Sequence, residues 1–179
     1  KIFLYGHSMG GNVVLNYGLH FPNAVSGIIA SSPFLKLAFE PPAWKLALGN
    51  WMRKIYPSLT VSNEINPNLL SHDNEVVKAY IADPLNHDRV SPNYSVLLME
   101  TGSWAIQNAG CLKKQVLIIH GTADQLTSYK GSEAFAANNQ EMVKINLYPG
   151  AYHELHNEPE REEVLKDVTN WLRKKLHSQ

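Results

Sequence analysis

The stretch that most limits what this chain can fold into is Gly6-His7-Ser8-Met9-Gly10-Gly11. It follows the apolar run Ile2-Phe3-Leu4-Tyr5 and precedes a helix-favouring stretch at 12–20. A short apolar run reads as a buried strand, so the order is strand, Gly-x-Ser-x-Gly, helix. In that context the motif is a sharp turn holding a serine clear of a sheet, at the amino end of a helix. Such a turn predicts a strained backbone at Ser8. It also predicts glycine at 6 and 10, because a Cβ at either place would strike the neighbouring strand or helix. The Met9 N–H is then aimed where negative charge would develop on an oxygen beside Ser8. The same letters occur in Gly/Ser-rich turns without chemistry, so the flanking elements carry the reading.

Length bounds the rest. At 179 residues the chain is one domain with room for a sizeable core. Sixteen Lys and Arg balance sixteen Asp and Glu, which argues against nucleic acid or an acidic polymer as partner. No apolar run approaches the roughly 18 residues of a membrane span, and no signal peptide is visible. The single cysteine, Cys111, has no partner for an internal disulfide, and its place just before an apolar run suggests a small buried thiol. These features together predict a cytoplasmic protein. The chain opens at Lys1, almost directly in a buried strand, so it reads as the carboxyl-terminal part of something longer.

Along the chain, 25–30 is a second apolar strand, closed by Ser31-Ser32-Pro33. A helix between two such strands makes a right-handed βαβ unit of a parallel sheet. The texture changes at 34–110, which carries six prolines between 41 and 92 and no evident strand. Helices are predicted at 42–55, 74–81 and 91–108, as an insertion lying over the end of the sheet. Nine large apolar residues crowd positions 34–52, among them Phe39, Trp44, Leu48 and Trp51. That exceeds what one small helix hides, and predicts an apolar binding wall or a membrane-facing surface beside ordinary packing. Strands follow at 116–120 and 144–148, with a helix at 128–138 capped by Ser128. A last helix spans 159–176 with Val164, Leu165, Val168, Trp171 and Leu172 on one face. Glu158, Glu160, Glu162 and Glu163 near its start read as solvated helix-dipole partners, not as metal ligands.

A serine hydroxyl needs a base, and the base an acid that fixes its tautomer. Ser8, Asp124 and His153 each follow a different predicted strand, in the chain order Ser, Asp, His. His156 competes with His153 as base, but His153 comes first in the loop after its strand. His7 should point away from Ser8 and pack, and His120 should bond locally. His153 and His156 are three apart, where a helical zinc site needs four. Asp73, Asp83 and Asp88 follow no strand and lose to Asp124.

Gly-His-Ser-Met-Gly-Gly at 6–11, His-Gly-Thr-Ala-Asp at 120–124 and Tyr-His-Glu-Leu-His-Asn-Glu at 152–158 resemble the monoacylglycerol lipase and lysophospholipase group of the α/β-hydrolases. Ser71-His72-Asp73 and Asp83-Pro84-Leu85 are similar to its cap segment. The resemblance spans nearly the whole chain and the carboxyl-terminal part of the family fold. It implies a mainly parallel sheet flanked by helices, a core at 1–33 and 111–179, a helical cap at 34–110, and amino-terminal strands absent from this chain. It implies Ser8 as nucleophile, Asp124 as acid, His153 as base and the Met9 N–H as one oxyanion donor. The family's second donor lies in a loop upstream of the elbow. The expected chemistry is hydrolysis of a lipid ester without metal or cofactor, with peripheral membrane contact through the cap. Alternatives are a peptidase or small-ester hydrolase on the same triad, or a non-catalytic lipid-binding module.

Overall fold

A computed structural model of the chain describes residues 1–177. The first half runs β1 (Phe3–His7), α1 (Met9–His20), β2 (Gly27–Ser31), α2 (Ala43–Ile55), β3 (Val61–Ser62) and α3 (Asn74–Ala82). The second half runs β4 (Arg89–Val90), α4 (Pro92–Asn108), β5 (Val116–Gly121), α5 (Tyr129–Ala137), β6 (Val143–Tyr148) and α6 (Arg161–His177). Four strands form one sheet in the order β1-β2-β5-β6, every neighbouring pair parallel. The four predicted strands are these, with ends shifted by up to two residues.

Side-chain alternation along β2 and β5 divides the core in two. Ile28, Ala30, Val116 and Ile118 face a cluster with Leu15, Ala105 and Phe135. Ile29, Leu117 and Ile119 face another with Leu155, Val164, Val168 and Trp171. All six residues of β5 are buried, as a strand covered on both faces requires. On α6, Val164, Val168 and Trp171 are buried and Leu172 packs beside them, but Leu165 is half exposed. Its position falls just outside the stripe that the sheet covers.

Several expectations are corrected locally. The helix after the elbow starts at Met9, three residues before the stretch at 12–20, because both glycines lie in its first turn. The stretch at 34–110 does contain strand: β3 and β4 pair antiparallel over two residues each, too short to leave a periodicity. Ser128 occupies the cap position of α5, but its side chain makes no capping bond. Its N–H donates instead to the Lys36 carbonyl. Cys111 is exposed in a 3-10 turn, not buried.

Helix α4 reaches into the body of the molecule. Ala105 and Ala109 sit in the first cluster. Gly102 lets its backbone meet the Leu35 segment, where a Cβ would stand 2.6 Å from the Leu35 carbonyl oxygen. Buried Asn12 of α1 ties the same junction, donating to the carbonyls of Phe34 (2.8 Å) and Leu98 (3.3 Å). Helix α2, by contrast, buries none of its residues. It rests on α4 through Gly49 near Val96 and an Arg53–Glu100 ion pair of 2.9 Å.

Candidate active site

Parallel strands end together, and their carboxyl ends here gather the Ser8 turn, the loop of Asp124 and the loop of His153. At the end of β1 the chain turns through Ser8 at φ 53°, ψ −115°, a setting residues with a Cβ rarely adopt. The Ser8 N–H donates to the Ser31 carbonyl at 2.9 Å, and the Ser8 carbonyl accepts from Asn12 and Phe34. The backbone is thus over-determined on three sides. A Cβ on Gly6 would lie 2.1 Å from the Gly10 carbonyl oxygen, so the first glycine is obligatory. Gly10 faces open space, contrary to expectation. The second close approach is at Gly11, where a Cβ would stand 2.8 Å from the Cα and Cβ of Pro33. Met9 opens α1, and among the described residues its N–H has no hydrogen-bond partner.

Asp124 lies in the loop after β5 and is buried. Its Oδ1 accepts from the N–H groups of Leu126 (2.8 Å) and Thr127 (3.0 Å). Its Oδ2 faces His153 Nδ1 at 2.7 Å, the Thr127 hydroxyl at 2.8 Å and His120 Nε2 at 3.1 Å. A carboxylate only accepts, so His153 carries its proton on Nδ1 and leaves Nε2 free to take one. Burial alone would push the Asp124 carboxyl up. The hydrogen bonds from His120 and His153 outweigh that and hold it well below the usual carboxylate range. The His153 backbone is pinned as well: the Ser32 hydroxyl donates to the His153 carbonyl at 2.7 Å. Among the described residues, no hydrogen bond joins the Ser8 hydroxyl to His153.

His7 does not point away from the site. Its ring lies 4.7 Å from that of His153 and 5.0 Å from that of His156. Burial first, then the neighbouring His153 and His156, push its pKa from 6.5 down to about 3. Among the described residues, His156 Nδ1 is buried without a partner, whereas His153 and His120 both pair with Asp124.

The family profile described as serine aminopeptidase, S33, matches residues 1–160. The chain belongs to that family. The monoacylglycerol lipase of Mycolicibacterium smegmatis is 35% identical over 169 residues, covering 93% of this chain and 60% of that protein. The crystal structure of Paleococcus ferrophilus monoacylglycerol lipase superposes with a TM-score of 0.93 at 36% identity, over 98% of this chain and 69% of that one. A soluble variant of the Saccharomyces cerevisiae monoglyceride lipase, solved with a substrate analog, gives 0.86 at 26% identity, over 97% and 61%. The fold of this S33 family chain is therefore that of the α/β-hydrolases, and it spans about three fifths of the length of the curated relative.

Within this S33 family chain the segment 36–38 runs beside the loop of Asp124. Leu37 bridges Thr127, and Ala38 N–H donates to the Leu126 carbonyl. Phe39 follows directly. Trp44, Leu48 and Trp51 then recur at helical spacing on α2, all four side chains being between 48% and 63% exposed. About half or more of each is open to solvent.

Four further residues hold the site together, of which His120 bonds locally, as its place at a strand end predicts. His120 is fully buried, with Nε2 facing two acceptors, Asp124 and the Thr127 carbonyl, and Nδ1 on the Ser132 hydroxyl at 2.8 Å. The i, i+4 placement of His120 and Asp124 across a strand end is the one available signal for it. Thr127 and Ser32 join the loops of Asp124 and His153 through bonds spanning 95 to 121 residues of sequence. Glu158 overturns the solvated-helix expectation: it precedes α6, is 1% exposed, and accepts from His72 and Tyr152.

Proposed function

We propose that Ser8, His153 and Asp124 form the catalytic triad of a serine hydrolase of carboxylic esters, with monoacylglycerol or a similar lipid ester as substrate. The observation that carries this is the buried 2.7 Å pair of His153 Nδ1 and Asp124 Oδ2 beside a strained serine at a helix start. His153 Nε2 takes the Ser8 proton as Oγ bonds to the ester carbon. The Met9 N–H stabilises the resulting oxyanion. The tetrahedral adduct expels the alcohol, which receives that proton from His153, and an acyl-Ser8 remains. Water, activated by the same histidine, then releases the fatty acid. Asp124 stays ionised throughout and steadies the imidazolium.

The lipid assignment rests on the stripe of Phe39, Trp44, Leu48 and Trp51 on the cap at 34–110, which gives an acyl chain or a bilayer surface an apolar face. The names of the relatives at 35% and 36% identity support it. Reaction of the complete protein with a fluorophosphonate tests the reading. Label on Ser8, lost in Ser8→Ala, supports it, and label elsewhere refutes it.

A further inference from the structure

The loop that carries His153 is fastened to the insertion, and the fastening converges on one buried carboxylate. Glu158 Oε1 accepts from the His72 N–H at 2.8 Å. Its Oε2 accepts from His72 Nδ1 at 2.7 Å and from the Tyr152 N–H at 3.2 Å. Tyr152 is the residue immediately before His153. Immediately after it, the Glu154 N–H donates to the Leu70 carbonyl at 2.8 Å. The Ser71 hydroxyl donates to the Asn157 carbonyl at 2.8 Å, and the His72 and Tyr152 rings stack with centroids 3.6 Å apart. The segment 70–73 and the loop 152–158 thus face each other along their lengths.

We propose that Glu158 is a positioning residue for His153: clamped between His72 and the Tyr152 N–H, its carboxylate fixes the backbone on which the base is carried, and so makes the base's placement depend on the seating of segment 70–73. The proposal rests on His153 being the base. The chemistry of the pocket requires a carboxylate there. Three N–H donors converge on two oxygens, and only an ionised carboxyl accepts them all. A neutral amide of the same shape turns an NH2 toward at least one of those donors and leaves it unpaired in a buried site. Glu158 does not touch the reacting atoms, so its removal acts through where His153 sits. A displacement of about an ångström at a catalytic group costs on the order of a hundredfold in rate.

The test compares Glu158→Gln and His72→Phe with Ser8→Ala in the complete protein. For Glu158→Gln the expected result is a loss in kcat of about ten- to a hundredfold with KM little changed. The far-downfield proton resonance of the His153–Asp124 hydrogen bond should weaken or vanish at a temperature where the protein is folded. A purely structural role would leave that resonance intact in folded protein. His72→Phe keeps the ring on Tyr152, lies at a half-exposed position and should move both readouts the same way by a smaller factor, so it decides the matter if Glu158→Gln does not fold. Unchanged kcat and an unchanged resonance in a folded variant overturn the proposal. If Ser8→Ala retains hydrolysis, it is the triad reading that fails. If Ser8→Ala is dead while both other variants keep full kcat, only the role of Glu158 fails.

Discussion

Ser8 holds a backbone setting that costs on the order of 1–3 kcal/mol for a residue with a Cβ. Ser8→Gly should therefore raise the thermal midpoint above that of Ser8→Ala, while both lose fluorophosphonate labelling; equal midpoints would mean the turn is unstrained. The glycines separate in the same experiment. Gly10→Ala should be tolerated, and gain up to about 1 kcal/mol of helix preference, whereas Gly6→Ala and Gly11→Ala should destabilise because backbone stands in the way. In the triad, single alanine replacements should each cost about 10⁴-fold or more in turnover, and the double Ser8/His153 replacement scarcely more than either, as measured by kcat on a monoacylglycerol. Folding stability should also depend on acid. His7 is driven down to about 3, so between pH 6.5 and 3 the unfolded chain binds a proton that the folded chain refuses, and stability falls as pH falls. Asp124 is held low in the folded state, so its contribution is present above the ordinary carboxylate range and is lost only at more acid pH. Urea midpoints of His7→Asn between pH 4 and 7 should be flatter than those of the unaltered chain. The strand-end positions of Ser8, Asp124 and His153 are legible from the sequence because Ser8 and Asp124 follow short apolar runs and His153 follows a segment that alternates as a strand does. Glu158 is not, because a glutamate three residues before a helix reads as a dipole partner until its distant donors from His72 are known.

Among the elements, α2 is the one whose sequence and surroundings disagree most. It is rich in large apolar residues and buries none of them. Each methylene of an acyl chain that leaves water for an apolar surface gains about 0.8 kcal/mol. Replacing Trp44, Leu48 or Trp51 with a polar residue should thus depress hydrolysis of long-chain esters more than short-chain ones, with the thermal midpoint unchanged. Equal losses on both chain lengths would assign the stripe to packing instead. The helices here are legible because amphipathic spacing and prolines mark their ends, as Ser91-Pro92 marks α4. The β3–β4 pair is illegible because two residues per strand carry no period. The burial of Ala105 and Ala109 is equally hidden, since alanine suits a core or a surface alike and only the approach of Leu35 to Gly102 decides which.

For the molecule as a whole, the parallel sheet has β1 at one edge, paired with β2 alone, and Ile2 and Tyr5 largely exposed along it. An open, apolar edge invites pairing with another chain. These 179 residues expressed by themselves should self-associate through that edge in sedimentation experiments. A monomer at every concentration would contradict this. The division of the core by the sheet has a kinetic counterpart. Ala151 and Leu155 of the base loop share the second cluster with Val164, Val168 and Trp171 of α6, while α1, α4 and α5 pack on the opposite face. Loop and helix therefore share one opening unit: amide protons flanking His153 should exchange at the rate at which α6 lifts from the sheet, so that α6, which touches no reacting atom, joins the segment 70–73 in setting how often His153 is displaced.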